Sequence, residues 1–301
     1  MPAQLEPEDI QVSVVIPAFN EERALAGLLA ELHAELADRG DAYELVVVDD
    51  GSTDGTAAVA ERAGARVITH AYRMGNGAAV KSGLRRARGE LIVTMDGDGQ
   101  HRPQDVVRLL DRQQENRFDM VVGARSTSSQ AGHHRSLANW VYNRLASYVV
   151  GARIHDLTSG LRVVRSDVVG EFIPLLPNTF SYPTTLTLAL FRSGFSVGYL
   201  PIEAAPRLGR SKIRVVRDGL RFLLIIFKVC TLVAPLKIFL PASFVAWLAG
   251  LANYAYTFVT LHRFTNMSML MLLFGVQLFL LGLIAEQITQ LYYCRAWPGH
   301  R

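Results

Sequence analysis

The residues best suited to chemistry lie in Leu91–Pro103, LIVTMDGDGQHRP. An apolar strand, Leu91–Met95, runs into Asp96-Gly97-Asp98, two carboxylates separated by one glycine. Alternate residues at a strand end can turn toward one site where glycine lets the backbone bend. Two adjacent carboxylates repel unless a proton or cation lies between them. A hard divalent ion, Mg²⁺ or Mn²⁺, suits such a pair because it takes oxygen ligands and leaves positions for substrate phosphates. Gln100 adds an amide oxygen two residues on. The chemistry implied is metal-dependent and directed at a nucleoside diphosphate. A plain Asp-Gly-Asp turn is the simpler alternative, and the neighbouring segments weigh against it.

The elements that must position these residues alternate in type. Val12–Ile16 is a β-branched run ended by Pro17, which predicts a buried strand. Glu21–Asp38 carries Leu25, Leu28, Leu29, Leu32 and Leu36 at helical spacing, and Gly40 stops it. Leu45–Val48 and Arg66–Thr69 predict two more strands. Asp54 is placed to N-cap a helix over Gly55–Ala63. Ala78–Ala87 reads as helix, Pro103 starts another to about Gln114, and Met120–Val122 is a fifth strand. This alternation implies an α/β fold with a mostly parallel sheet covered on both faces. Ligands in such sheets bind beyond the carboxyl ends of the strands. Asn20-Glu21, Asp49-Asp50, Asp96-Asp98 and Arg125 should therefore meet on one edge. Ser126–Ser136 reads as a polar loop; its His133 and His134 have no third partner spaced for metal binding. Leu137–Val150 is an amphipathic helix, and Phe191–Pro201 holds a turn and a strand.

The chain has 301 residues and a net charge of +4, too modest a balance to mark a nucleic-acid binder. The two cysteines form no Cys-x-x-Cys, so neither a zinc site nor a disulfide framework is indicated. Residues 222–293 are dominated by apolar types. Ile238–Leu261 carries no formal charge, and at about 1.5 Å per residue its length matches a hydrocarbon core of about 30 Å. Met267–Ala285 is also uncharged. Before them, Arg214, Arg217, Arg221 and Lys228 fall on one side of an otherwise apolar helix over Ile213–Cys230, as expected of a helix lying among lipid headgroups. Basic residues before the first span and after the second put both ends on the cytoplasmic side. The acidic N-terminus lacks the regions of a signal peptide, so the main domain is expected there too. Tyr254, Tyr256, Tyr292 and Tyr293 suit the interfaces, and Gly250 and Gly275 would permit close helix contact and association of copies.

Seven segments in order resemble one family: VSVVIPAFNEE (12–22), VVVDDGSTDGT (46–56), MGNGAAVKSGL (74–84), MDGDGQHRP (95–103), VVGARS (121–126), HDLTSGLRVVR (155–165) and PRLGRSK (206–212). They resemble the GT-A domain of family 2 glycosyltransferases, in the branch of dolichol-phosphate mannosyltransferases and bacterial polyprenyl-phosphate glycosyltransferases. The resemblance implies a GT-A Rossmann-like domain over 1–210, a juxtamembrane helix over 211–233, and two transmembrane helices in 234–293 (about 238–261 and 267–290), with a tail over 294–301. It implies a membrane-bound, inverting transfer of a hexose, mannose or glucose, from GDP-mannose or UDP-glucose to a polyprenyl phosphate. The membrane would be a bacterial or archaeal plasma membrane, or the endoplasmic reticulum in a eukaryote.

The same resemblance assigns Pro17, Phe19, Glu21 and Asp50 to the nucleoside, with Asp49 nearby. Asp96, Asp98 and Gln100 would hold the metal and diphosphate. Arg125, Arg135, Arg207, Ser211 and Lys212 would gather around the lipid phosphate, where arginine forks suit phosphate oxygens. Many members carry Ala or Ser where this chain has Gly97, a departure that should be harmless. The acceptor phosphate is already an anion and needs no strong base. Asp156 is left two roles, a weak base or a partner that orients an arginine, and the second is preferred. Gly75, Gly77 and Gly83 lack the register of a phosphate loop; a turn and close helix packing account for them.

Two rivals remain within reach. A polysaccharide or glycolipid synthase with a hydroxyl acceptor would carry Gln-x-x-Arg-Trp, yet none of Trp140, Trp247 or Trp297 follows Arg. A membrane scaffold that binds nucleotide-sugar without turnover would not need Asp96, Asp98 and Arg125 intact.

Overall fold

The computed structural model describes residues 10–125, 133–179, 181–203, 227, 231 and 233–296. The chain divides into two units, 1–147 with 152–213, and 148–151 with 214–301.

The first unit is built on a seven-stranded sheet. Its strands are β1 (Val12–Ala18), β2 (Tyr43–Asp49), β3 (Arg66–Thr69), β4 (Leu91–Thr94), β5 (Met120–Arg125), β6 (Arg162–Arg165) and β7 (Val197–Ile202), in the order β3-β2-β1-β4-β6-β5-β7. β1 pairs parallel with β2 and β4, and β2 with β3. β6 runs antiparallel to both β4 and β5. The first five strands thus end on one edge, and the strand order reverses beside β1, where α/β sheets open a crevice. β1 is buried along its whole length, as a strand covered on both faces must be.

Helices α1 (Glu22–Arg39), α2 (Thr56–Arg62) and α4 (Pro103–Asn116) pack together. α3 (Asn76–Leu84) packs on β1 and β2 and meets α6 (Ser166–Phe172), which meets α7 (Tyr182–Arg192). α5 spans His133–Val150. The five leucines expected on one face of α1 are all buried, and the helix ends at Gly40 in the left-handed conformation (φ 83°), which glycine adopts without steric cost.

Several expectations need correcting. β1 runs through Pro17 to Ala18 instead of ending at Ile16. The β4 ladder stops at Val15↔Thr94, so the missing proline N–H falls where no partner strand needs it. Asp54 stands one residue before the N-cap, Gly55, and accepts instead from Thr56 N (3.1 Å) and Glu22 N (3.4 Å). α5 begins at His133, so the expected loop extends no further than 132; residues 126–132 lie outside the described set. β6, α6 and α7 had no counterpart in the sequence reading, because each follows a short segment without a clear period.

The second unit holds α8 (Leu236–Leu261) and α9 (Asn266–Ala296), both long and apolar enough to cross a membrane and mostly exposed along their lengths. A β-carbon on Gly275 would come within 2.5 Å of Trp247, and one on Gly250 within 3.0 Å of Leu272. Both glycines therefore serve close packing between the two helices of the hairpin. Ser243 Oγ donates to Gly275 O (2.7 Å), a polar bond of the kind that joins helices in lipid. The juxtamembrane segment expected over 211–233, with its basic face, lies almost wholly outside the described residues.

Two glycine substitutions test this packing. At Gly77 a β-carbon would lie 2.2 Å from Pro177 O and 2.5 Å from Thr179 O, both backbone atoms. Gly77→Ala should therefore destabilise the protein by about 1–3 kcal/mol. Gly27, inside α1 with nothing within 4 Å, should instead gain about 0.5–1 kcal/mol as Ala. Thermal unfolding of both variants in detergent reads the contrast.

Candidate active site

The site begins with the two loops after β1 and β2, which are laced together. Asn20, at φ 57°, receives Thr53 N on its side-chain oxygen (2.9 Å) and gives its own N–H to Ser52 Oγ (2.9 Å). Glu21 N donates to Thr56 Oγ1 (3.0 Å), and Gly55 N to the Glu22 carboxylate (3.1 Å). Pro17 is buried in β1, and Phe19 is half-buried beyond it. Asp49 is buried and accepts from Ser52 N (3.0 Å).

Asp50 is engaged by the chain itself. It is 3% exposed, and its carboxylate accepts from Met74 N and Gly75 N (2.8 Å each) and meets His70 Nδ1 at 2.8 Å. His70 in turn reaches Ser82 Oγ at 2.9 Å. Asp50 thus pins the glycine-rich turn that opens α3. On the other side, β-carbons on Gly75 and Gly77 would strike backbone carbonyls of 177–179 within about 2.5 Å, so only glycine lets the turn seat there. Gly83 lies against Val15 and Val48, which bears out the expectation of turn and helix packing.

That turn delivers Asn76 to the carboxylate pair. Asn76 Nδ2 donates to Asp96 Oδ1 (3.3 Å), while its Oδ1 is buried without a partner. Asp96 and Asp98 follow β4 at the open edge and are both partly exposed. Gln100 N donates to Asp98 Oδ1 (3.2 Å). Gly97 sits close to β1, where a β-carbon would meet Pro17 O at 3.2 Å, a tight contact. Gly160 presses on the other side, where a β-carbon would come within 2.6 Å of Asp96 Oδ2.

The loop before β6 supplies the carboxylate that holds Arg125, the last residue of β5. Asp156, 3% exposed, accepts from Arg125 Nε (2.8 Å), Arg125 Nη2 (3.1 Å) and Arg125 N (3.2 Å), and from Thr158 N and Ser159 N. Arg125 Nη2 also donates to Thr158 Oγ1 (2.6 Å), leaving Nη1 outside the pairing. Burial alone would raise the Asp156 pKa, but the Arg125 fork and the backbone donors outweigh it and hold the carboxyl below its ordinary value. Burial likewise opposes the charge on Arg125, and Asp156 and then Asp96 restore it.

The sequence reading did not single out four residues that shape this site. His101, buried inside the quoted MDGDGQHRP motif, lies 4.0 Å from Asp96. Burial lowers its pKa against the pull of Asp96 and Asp98. Arg162 is fully buried, with its guanidinium bonded to Ser159 O, Pro183 O, Leu157 O and Thr187 Oγ1. It ties the Asp156 loop to α7. Tyr182, buried on α7, has its pKa raised by burial and then by Asp96. Asn76 is the fourth. Spacing does not mark Asn76 or the tie from Arg162 to α7, since those partners lie 20 to 25 positions away; His101 and the other Arg162 bonds are local, but burial, not spacing, defines them. Arg135 lies on α5 with its side chain outside the described set, as are Arg207, Ser211 and Lys212 altogether.

The donor set suits a hard divalent ion. Asp96, Asp98 and Gln100 offer oxygen, and the buried Asn76 oxygen beside Asp96 has no partner. No cluster of three His, Cys, Asp or Glu occurs among the described residues, so an ion here would complete its shell with phosphate and water, as Mg²⁺ commonly does.

Asp156→Asn tests the arginine fork. A fully buried pair broken on one side costs about 3–5 kcal/mol, and the 27% exposure of Arg125 discounts this to about 2 kcal/mol. Because the folded-state pKa lies below the ordinary carboxylate value of about 3.9, this stability is present above that pH and fades as the pH falls through the lower, folded value. The gap in unfolding temperature between wild type and Asp156→Asn should be full at pH 7 and narrow below about pH 4.

Residues 13–172 match the family described as Glycosyl transferase family 2, and residues 234–291 match the GtrB C-terminal hairpin. The dodecaprenyl-phosphate galacturonate synthase of Rhizobium johnstonii is 31% identical over 170 residues, 54% of this chain and 50% of that protein. An undecaprenyl-phosphate 4-deoxy-4-formamido-L-arabinose transferase of Pseudomonas aeruginosa is 35% identical over 188 residues, 58% of this chain and 55% of that one. These matches span about half the length of each relative. The protein of the same name from Edwardsiella ictaluri is 29% identical over 93% of this chain and 89% of its own length. Among solved structures, glucosyl-3-phosphoglycerate synthase of Mycobacterium tuberculosis, in complex with Mn²⁺, UDP and glucosyl-3-phosphoglycerate, aligns with a TM-score of 0.59 at 20% identity, over 76% of this chain and 85% of that one. That likeness concerns the fold. The chain belongs to glycosyl transferase family 2.

Proposed function

We propose that this protein is a membrane-bound, metal-dependent glycosyltransferase that moves a sugar from a nucleotide-sugar to a polyprenyl phosphate with inversion. The observation that carries the reading is the placement of Asp96 and Asp98 at the open end of β4, beside an Arg125 that Asp156 holds by two bonds. The names of the relatives support a dodecaprenyl or undecaprenyl phosphate acceptor. They also widen the sugar beyond mannose or glucose, to galacturonate or a formamido-arabinose. The apolar helices α8 and α9 supply the anchor, with the catalytic unit on the cytoplasmic side.

In this reading Asp96, Asp98 and Gln100 would hold Mg²⁺ or Mn²⁺, and the ion would supply charge to stabilise the diphosphate as it leaves. Pro17, Phe19, Glu21 and Asp49 line the nucleoside, and Asp50 shapes its pocket through the turn it pins. Arg125, with Arg135, Arg207, Ser211 and Lys212, holds the acceptor phosphate in line with the anomeric carbon. Asp156 acts as the orienting partner. Its pKa is held low, so it is already ionised, and its oxygens face Arg125, a poor arrangement for a base.

Transfer of labelled sugar to undecaprenyl phosphate by the purified protein tests the reading. The donors are UDP-glucose, GDP-mannose, UDP-galacturonate and a UDP-formamido-arabinose, each with Mn²⁺, Mg²⁺ or EDTA. One donor should give a lipid-linked product that EDTA abolishes. Asp98→Ala should cut that rate about 100-fold or more while the protein still partitions to the membrane. Nucleotide binding with no product from any donor would favour the scaffold, and a product on a hydroxyl acceptor would favour the synthase.

A further inference from the structure

Arg73 has no part in the assignments above. Its guanidinium carbon lies 4.2 Å over the Phe19 ring, and among the described residues it makes no hydrogen bond or ion pair. It is exposed, but the backbone that carries it is not free to drift. Met74 N and Gly75 N, the next two amides, donate to Asp50, and the following side chain, Asn76, donates to Asp96. Arg73 therefore lies over the Phe19 ring on a turn held by Asp50, three residues before the Asn76 that reaches Asp96.

The charges around the site call for such a cation. A nucleotide-sugar carries roughly two negative charges on its diphosphate. When the bond from the anomeric carbon to the phosphate oxygen breaks, the electron pair stays with that oxygen and the leaving group carries about three. Asp96 and Asp98 together cancel a divalent ion, so the ion alone leaves the diphosphate uncompensated. Arg125 is paired with Asp156, and Arg162 is sealed among carbonyls and one hydroxyl. Of these guanidinium groups, Arg73 is the one without an anionic or carbonyl partner. An exposed cation over an aromatic ring is a weak contact, whereas a guanidinium fork on phosphate oxygens is stronger and directional.

We propose that Arg73 binds the donor's diphosphate, swinging off the Phe19 ring as the nucleotide enters and uncovering that face for the nucleoside. The inference rests on the transferase reading. The exposed Arg73 leaves the ring at little cost, and the pinned backbone limits where it can go.

Binding measured by calorimetry on the full chain in detergent, with MnCl₂, separates the two. UDP, GDP, CDP and ADP are each compared with the corresponding monophosphate. If wild type binds none of the four diphosphates, the transferase reading falls and this inference with it. If wild type binds one, the inference stands alone. Arg73→Ala should then lower the affinity ratio of diphosphate over monophosphate by about tenfold or more. Arg73→Lys should restore part of it, as a point charge without the fork. An unchanged ratio overturns the proposal, whether the two affinities stay level or fall together, because a role in the nucleoside wall or in folding would weaken both ligands equally.

Discussion

The carboxyl edge of the sheet gathers Asp49, Asp50, Asp96, Asp98 and Asp156 in one place, and the structure around them is organised by the need to neutralise each one. Carboxylates taken out of water are tolerated only when donors or cations meet them. Asp49 is met by a turn amide, Asp50 by two amides and an imidazole, and Asp156 by an arginine fork and three amides. Asp96 and Asp98 are partly exposed; Asn76 donates to Asp96 and Gln100 N to Asp98. Exposure is what distinguishes the buried supporting carboxylates from the pair that reaches the surface.

The supporting carboxylates do mechanical work. By holding Met74 and Gly75, Asp50 converts a surface turn into a fixed wall against residues 177–179. By holding Arg125, Asp156 fixes a cation at the end of β5 and draws the loop before β6 against β4, where Thr94 Oγ1 donates to Gly160 O (2.9 Å). Arg162 then joins that loop to α7 without any carboxylate partner. These bonds run between elements distant in sequence, so the site is preorganised by the whole sheet edge and not by one loop.

Much of the frame was legible from local pattern. Short β-branched runs marked the first five strands, and leucine spacing marked α1, because side-chain periodicity follows directly from backbone geometry. The Asp96-Gly97-Asp98 turn stood out for the same reason. β6 did not, because LRVVR is short and its direction is set by pairing with β4 and β5, which are already parallel to each other. Gly250 and Gly275 were visible as gaps on helices, but which surface fills a gap depends on the neighbour, and here it is the other helix of the hairpin.

By itself the sequence determined the class of the fold, the two apolar helices and the residue types able to hold a divalent ion and a diphosphate, all properties of local composition and spacing. Only the tertiary structure decided which polar groups are left for a ligand. Asp50 and Asp156 look as available in sequence as Asp98, yet each is enclosed by donors that include a distant one, Met74 N 24 positions from Asp50 and Arg125 31 positions from Asp156. Arg73 looks like any surface arginine until it is seen over the Phe19 ring on a turn held by Asp50. Burial and partnership are relations among distant residues, and they exist only once the chain has folded.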